Sequence, residues 1–297
     1  MSWQSLVEGI EGVECRWNAD LTTYSTFRMK SQGNLLTVKS VPALSLLLPL
    51  LNQHGVSWRP LGWGANQVLA SIEKDLLIKL DLPFDPNTFE TPRDHYFLPA
   101  SLGLNLLTAH AVKFGLKGWE SLTGIPASLG GAIFMNAGTA LGEIGSLVES
   151  VNLVNEQGVE RVQKIDANSF SYRKNHFVRS GEFIVAATLR HNGQDTSIPE
   201  KIRQYQEYRR QSQPLATKNC GCVFKNAAPT KQAGRLIDLT GLKGLAVGAL
   251  RVSHKHANFM ENTGTANADD FFELTRLINQ QMRLHWGVQF ELEVKAV

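Results

Sequence analysis

TGIPASLGGAIFMNAG, residues 123–138, places four glycines, one proline and several small side chains in sixteen positions. Pro126 rigidifies the turn, and Gly130–Gly131 admit close approach, so consecutive amide N–H groups can turn toward one anion. A shorter stretch, LGWGANQVL (61–69), does the same with Gly62 and Gly64. Neither matches GxGxxG or GxxxxGK(S/T), so neither a Rossmann turn nor a P-loop is indicated. Taken singly, each is an ordinary tight turn. Together they suggest a diphosphate lying across two lobes.

Working outward, the chain has three textures. Residues 1–80 alternate short apolar runs with turns: LLTVKSV reads as a strand, PALSLLLPLLNQHG as a helix ending at Gly55, and VSWRPLGWGANQVLA as a strand entering a loop. Residues 81–195 are richer in glycine and carry strand-like pieces, VESVNLVN and GEFIVAATLRH. Residues 196–297 open on SIPEKIRQYQEYRRQSQP, a helix stopped near Pro214. Further on, Phe271, Leu274, Ile278 and Met282 recur at helical spacing, with Asn267 as N-cap and Gly287 as stop. VQFELEVKAV, at the end of this segment, alternates like a half-buried strand.

Composition narrows the function classes. The 297 residues are 43% hydrophobic and 19% charged, enough to bury one large core or two to three smaller ones. The formal charge is only +3 and the basic residues are scattered, which argues against a nucleic-acid partner. The most apolar run, VPALSLLLPLL (41–51), is too short to cross a bilayer, so no membrane insertion is expected. MSWQSLVEGIEGVE is acidic and unlike a secretory signal, which predicts a cytoplasmic address.

The three cysteines, an odd number, do not make a disulfide framework and are expected to be reduced. Two of them lie one residue apart in KNCGCVFKNA (218–227). Zinc would need further ligands near Cys220 and Cys222, and no second CxxC exists, so no metal is expected. A CxC disulfide is sterically awkward.

The order TTYSTFR, LGWGANQVL, GWESLTGIPASLGGAIFMNAG, SYRKNHF, GCVFKN, LIDLTGLKG, SHKHANFMENTGTA and LEVK resembles the UDP-N-acetylenolpyruvoylglucosamine reductase (MurB) family, from about Leu21 to Val294. The short form, lacking an extra tyrosine-bearing loop, is the closer match. The resemblance implies an α+β fold: a two-lobed, PCMH-like FAD-binding domain (1–80 and 81–195) followed by an α/β substrate-binding domain (196–297). It implies FAD against Gly62, Trp63, Gly64, Ala65 and Asn66 and against Thr123, Gly124, Ile125, Pro126, Ser128 and Gly131. It also implies NADPH as hydride donor, a UDP-sugar carrying an enolpyruvyl group as substrate, UDP-N-acetylmuramate as product and a monomeric enzyme of peptidoglycan synthesis.

The chemistry can be tested against residue types. Hydride added to the terminal carbon of an enolpyruvyl ether pushes electron density onto the carboxylate. The resulting enolate needs a fixed cation and an acid. Arg173, at the family's catalytic arginine position, carries a permanent charge on a planar fork that can grip a carboxylate. Without the motif it reads as an exposed residue of a basic cluster with Lys174. Cys222 stands where most of the family has serine. A thiol of reference pKa about 8.5 is mostly protonated at neutral pH, and it is a far stronger acid than a hydroxyl. Glu293 matches the family's glutamate that polarises the intermediate or its proton donor, with Glu291 as a control. Cys220 reads as packing. Arg210, Lys225, Asn226 and His256 fall at positions the family uses for ligand contacts or loop orientation.

The chain departs from the family pattern at several positions. Lys30 and Ser31 replace paired glycines, Ala65 and Asn175 replace serines, Ala127 a glycine and Ala227 a proline. None removes a proposed catalytic group, so an active reductase is preferred. The alternatives are a non-catalytic FAD- or UDP-sugar-binding paralogue and an oxidase of the wider FAD-binding superfamily.

Overall fold

The computed structural model describes residues 2–70 and 72–296, the side chains of 72–75 excepted. The chain divides into two compact units. Unit 1 comprises Met1–Trp17, Asn34–Gly62 and Lys74–Gln206, and unit 2 comprises Asn18–Gly33, Trp63–Glu73 and Glu207–Val297. The division after Gln206 falls inside the helix Ile198–Ser212. Sequence reading puts this boundary at 196 and leaves 18–33 and 63–73 with the first lobe.

Unit 1 holds two sheets. The first runs in the order Val13–Asp20, Gln32–Val38, Ile72–Leu80, Trp58–Leu61, its last two strands parallel. The helix Val41–Gln53 covers it. Ser40 caps that helix by accepting the Ala43 N–H, Pro42 sits in its first turn, and Leu44, Leu47, Leu48 and Leu51 form its buried stripe. Pro49 lies inside the helix and has no N–H to give the carbonyl of Ser45. Gly158 packs against that carbonyl so closely that a Cβ there would lie 2.1 Å from it.

The second sheet is antiparallel throughout, in the order Glu160–Lys164, Val148–Val154, Phe183–Arg190, His95–Pro99. Helices Leu104–Phe114 and Leu129–Phe134 complete its core around Trp119, Leu122, Leu147, Val151 and Leu189. Trp58 stacks on Phe183 at 5.0 Å, within a cluster shared by the two sheets.

Unit 2 is organised by the amphipathic helix Ala268–Trp286. Asn267 forms a capping box with Asp270, and Gly287 ends the helix in a left-handed conformation, as the spacing predicts. Phe271, Leu274, Ile278 and Met282 pack over the strands Ala246–Val247, Leu250–Val252 and Met260–Asn262. The segment 18–33 joins this unit through specific bonds. Asn262 Nδ2 donates to the carbonyls of Phe27 and Arg28 at 3.1 and 2.8 Å, Lys30 N–H donates to Ala266 O, and Phe27 meets Phe271 edge to face. Among the described residues no helix is long and apolar enough to cross a membrane.

The expected strand over VQFELEVKAV is not continuous. Burial alternates through Val288–Glu291, but the chain pairs first with the 223–225 segment through Leu292 and Phe224, bends at Glu293–Val294, and then pairs Lys295–Ala296 parallel to Gln67–Val68. The bend follows from a change of partner: the Val223 carbonyl accepts both the Glu293 and the Val294 N–H, at 2.8 and 3.5 Å.

Candidate active site

In unit 1 the two glycine-rich stretches meet. Gly62 follows the strand Trp58–Leu61, and a Cβ there would lie 2.9 Å from the Ser128 hydroxyl and 3.9 Å from the Gly131 Cα. Ser128 starts the short helix Leu129–Phe134 by accepting the Gly131 N–H. Gly124 adopts φ +72°, Thr123 is buried, Ile125 packs on the core and Pro126 is exposed. In unit 2 Gly64 adopts φ +65°, where a Cβ would fall 2.1 Å from the Tyr24 carbonyl. Trp63 is exposed, while Ala65 and Asn66 are half-buried.

Arg173 occupies the two-residue turn of a hairpin in which Phe170–Ser171 pair with Lys174–Asn175. Its φ is +56°, a region that favours glycine or asparagine. Its side chain is largely buried and fastened to a neighbouring hairpin, Gly138–Thr139 with Gly142–Glu143. Nη2 donates to Gly138 O at 3.0 Å, and Nη1 to Asn136 O at 3.4 Å and Glu143 Oε1 at 3.3 Å. The guanidinium also lies 5.0 Å from the Tyr172 ring centroid. The solvent-exposed arginine read without the motif is therefore not what forms. Asn175, in place of the family's serine, donates to Phe134 O and accepts the Val178 N–H.

The remaining predicted residues lie in unit 2. Cys222 is half-buried in the GCVFKN loop, just after Gly221 at φ +80°. Asn258, buried, holds this loop: its Oδ1 accepts the Phe224 N–H at 2.9 Å, its Nδ2 donates to Phe224 O at 2.8 Å, and its main-chain oxygen accepts the Val223 N–H. The Glu293 N–H donates to Val223 O on the other side, and Asn66 Nδ2 donates to Glu293 O at 3.0 Å. Glu293 is half-buried, whereas Glu291 is exposed and ion-paired with Lys225 at 3.1 Å. Burial pushes the Cys220 thiol far above the usual range, and the charged forms of Cys222 and Glu293 would raise it further.

Asn226 accepts the Ala233 N–H at the start of the helix Ala233–Leu239, a capping role for a predicted ligand contact. His256 Nδ1 accepts the Asn258 N–H, so the neutral ring carries its proton on Nε2. Burial lowers its pKa. Arg210 is exposed and paired with Glu207, and its carbonyl accepts from Lys255. Among the described residues no three His, Cys, Asp or Glu side chains gather where they could hold a metal. Sequence reasoning missed Asn136, Glu143 and Asn258. The first two lie in or beside the glycine-rich stretch, and Asn258 lies in SHKHANF, so proximity to recognised motifs was the available signal.

Residues 213–297 match the UDP-N-acetylenolpyruvoylglucosamine reductase C-terminal domain, and residues 34–162 an FAD binding domain. The UDP-N-acetylenolpyruvoylglucosamine reductase of Chlamydia pneumoniae is 32% identical over 93% of this chain and 90% of its own length. The chain belongs to the MurB family. The reductase of Carboxydothermus hydrogenoformans is 35% identical over 94% of this chain and 93% of its own. The MurB crystal structure from Thermus caldophilus superposes with a TM-score of 0.78 at 32% identity, covering 96% and 98% of the two chains.

The MurB cofactor is FAD, and the glycines test whether this chain can hold it. The contact of Gly62 with Ser128 and Gly131 brings two loops of small residues together where added side chains would collide. Alanine at 65 and 127 adds only one carbon each. Ala127 is accommodated, with its carbonyl accepting the Leu104 N–H and its methyl against the core. Ser31, in place of a glycine, is buried and donates to Ala70 O. The residues present fit the group.

Proposed function

We propose that this MurB-family chain is the FAD-dependent reductase that converts UDP-N-acetylglucosamine enolpyruvate to UDP-N-acetylmuramate with NADPH, as a cytoplasmic monomer supplying peptidoglycan synthesis. The observation that carries the proposal is Arg173: an arginine on a left-handed turn whose largely buried fork is fastened to main-chain carbonyls. A guanidinium preorganised in this way is suited to charge that develops in the transition state, because no reorganisation is needed at the moment of reaction.

FAD, when bound, would supply the hydride chemistry that links NADPH to the substrate double bond. Gly62, Trp63, Gly64, Ala65, Asn66, Thr123, Gly124, Ile125, Pro126, Ser128 and Gly131 would hold it. Arg173 grips the substrate carboxylate and stabilises the enolate formed as hydride arrives. Cys222 delivers the proton to the adjacent carbon, and Glu293 orients or polarises that acid. Lys225, Asn226, His256 and Arg210 bind and orient the UDP-sugar, with His256 offering an Nε2–H donor. Cys220, kept protonated by burial, packs in the apolar core of unit 2.

The two half-reactions separate the roles. Anaerobic NADPH should bleach the yellow enzyme and the enolpyruvyl sugar should recolour it. Cys222→Ala is expected to bleach normally and recolour slower by a factor of order 10² or more, with Cys222→Ser active. Recolouring of the alanine variant at the wild-type rate places the donor elsewhere. A wild-type enzyme that bleaches without recolouring overturns the reductase reading.

A further inference from the structure

One of the residues that hold Arg173 takes no part in the chemistry proposed above. Glu143 sits opposite Gly138 in its hairpin, and its two carboxylate oxygens serve different donors. Oε1 accepts Arg173 Nη1 at 3.3 Å, and Oε2 accepts Asn136 Nδ2 at 2.8 Å. The same Asn136 Nδ2 donates to Ser171 O at 3.0 Å, inside the arginine's own hairpin, while its Oδ1 accepts the Gly145 N–H at 3.0 Å. Asn136 is buried and itself adopts a left-handed φ of +44°. One amide thus ties the arginine's hairpin to the hairpin that carries Glu143, and Glu143 closes the ring onto the guanidinium.

The acceptors on Arg173 differ in kind. Gly138 O and Asn136 O are main-chain oxygens whose places are set by the hairpin. Glu143 Oε1 is a charged acceptor, on a side chain fixed by Asn136. A guanidinium plane needs contacts at more than one nitrogen to stop it rolling about the Cδ–Nε axis, and bidentate recognition of a carboxylate depends on that plane. We propose that Glu143, locked by Asn136, is a positioning residue that sets the roll of the Arg173 fork for the substrate carboxylate. The pairing has a cost in field, since a carboxylate beside the cation offsets part of its charge. The gain is in orientation, where an error of about 1 Å can cost 10²-fold in rate. Glutamine does not substitute fully. It offers one oxygen and one NH2 group to two donors, so either Arg173 or Asn136 faces another donor.

This inference rests on the assignment of Arg173 to the substrate carboxylate, and the test keeps the two apart. The FAD-loaded Glu143→Ala enzyme is expected to bleach with NADPH at the wild-type rate and to recolour with the enolpyruvyl sugar about 10- to 100-fold more slowly. Its thermal midpoint should be unchanged. In an Arg173→Lys background, which has no fork to orient, adding Glu143→Ala is expected to slow recolouring by less than about twofold. Glu143→Gln should fall between wild type and Glu143→Ala, and it keeps the test available if the alanine variant folds poorly. Wild-type recolouring in both variants overturns the proposal. So does equal loss of both half-reactions, or a full additional loss in the Arg173→Lys background. Failure of wild type to recolour would strike the reductase reading instead.

Discussion

Replacing Asn258 is the most direct way to ask whether the proposed acid is held by a side chain rather than by a sheet. Its amide acts as a strand partner for one residue, accepting the Phe224 N–H at 2.9 Å and donating to Phe224 O at 2.8 Å. Phe224 is buried, two residues beyond Cys222. Asn258→Ala strands a donor and an acceptor where water has poor access, at about 1–3 kcal/mol each, so a loss of roughly 2–6 kcal/mol is expected. For a chain of this size that lowers the melting midpoint by about 3–10 °C. Recolouring by the enolpyruvyl sugar should slow while NADPH bleaching persists. Should the alanine variant melt within a degree of wild type, the side chain does not hold the loop.

Asn258→Asp adds a sign to the test. Its carboxyl can donate to Phe224 O only when protonated, so the folded state raises its pKa above the unfolded value of about 3.9. A group raised in this way contributes stability that is fully present below the unfolded pKa and lost as pH rises through the folded one. Asn258→Asp should therefore be least stable relative to Asn258→Ala at neutral pH and recover as the solution is acidified. A constant difference between the two variants from pH 4 to 7 would contradict this reasoning.

Two further outcomes can be measured. His110 is buried against Phe89 with Nε2 2.9 Å from the Tyr96 hydroxyl, and burial pushes its pKa down to about 4. The unfolded chain takes up that proton first, so stability of the wild type should be complete above about pH 6.5 and decline toward pH 4, with a flatter profile for His110→Phe in urea titrations. Iodoacetamide should label Cys222 in the native protein and reach Cys220 only on denaturation, because burial holds the Cys220 thiol protonated; native labelling of Cys220 at the Cys222 rate in peptide mass analysis would count against this.

Elements governed by local rules were legible in the sequence. The caps at Asn267 and Gly287, the apolar spacing from Phe271 to Met282 and the strands around Leu153 and Val185 depend on neighbours within a few residues, and they form as the pattern predicts. The run after Val288 was misread because alternation records burial and carries no information on hydrogen-bond partners. Its partner changes at Glu293. The membership of 18–33 in unit 2 was hidden for a related reason. It rests on Asn262 bonding to carbonyls more than 230 residues earlier, and no local pattern reports such a bond. Of the site, the reactive residue types could be read from motif positions, while the groups that orient them could not, because an asparagine in a loop most often serves only its own turn.

Those orienting groups share a chemistry. Each residue proposed to react stands on backbone that regular structure does not supply: Arg173 at φ +56°, Cys222 just after Gly221 at φ +80°, Glu293 in a bend. An asparagine serves each of the three segments: Asn136 through Ser171 O, Asn258 through Phe224, Asn66 through Glu293 O. Irregular backbone leaves N–H and C=O groups to be met one at a time, and the asparagine amide offers one acceptor and two donors on a short, stiff stem. It does so without net charge. A lysine or aspartate in these places would also bond the backbone, yet its field would shift the acidity of a thiol or carboxylate nearby. Neutral clamps therefore fix geometry while leaving proton affinities to be set by the reacting groups themselves. The charged exception, Glu143, bears on Arg173, the member of the three that gives up no proton in the proposed chemistry.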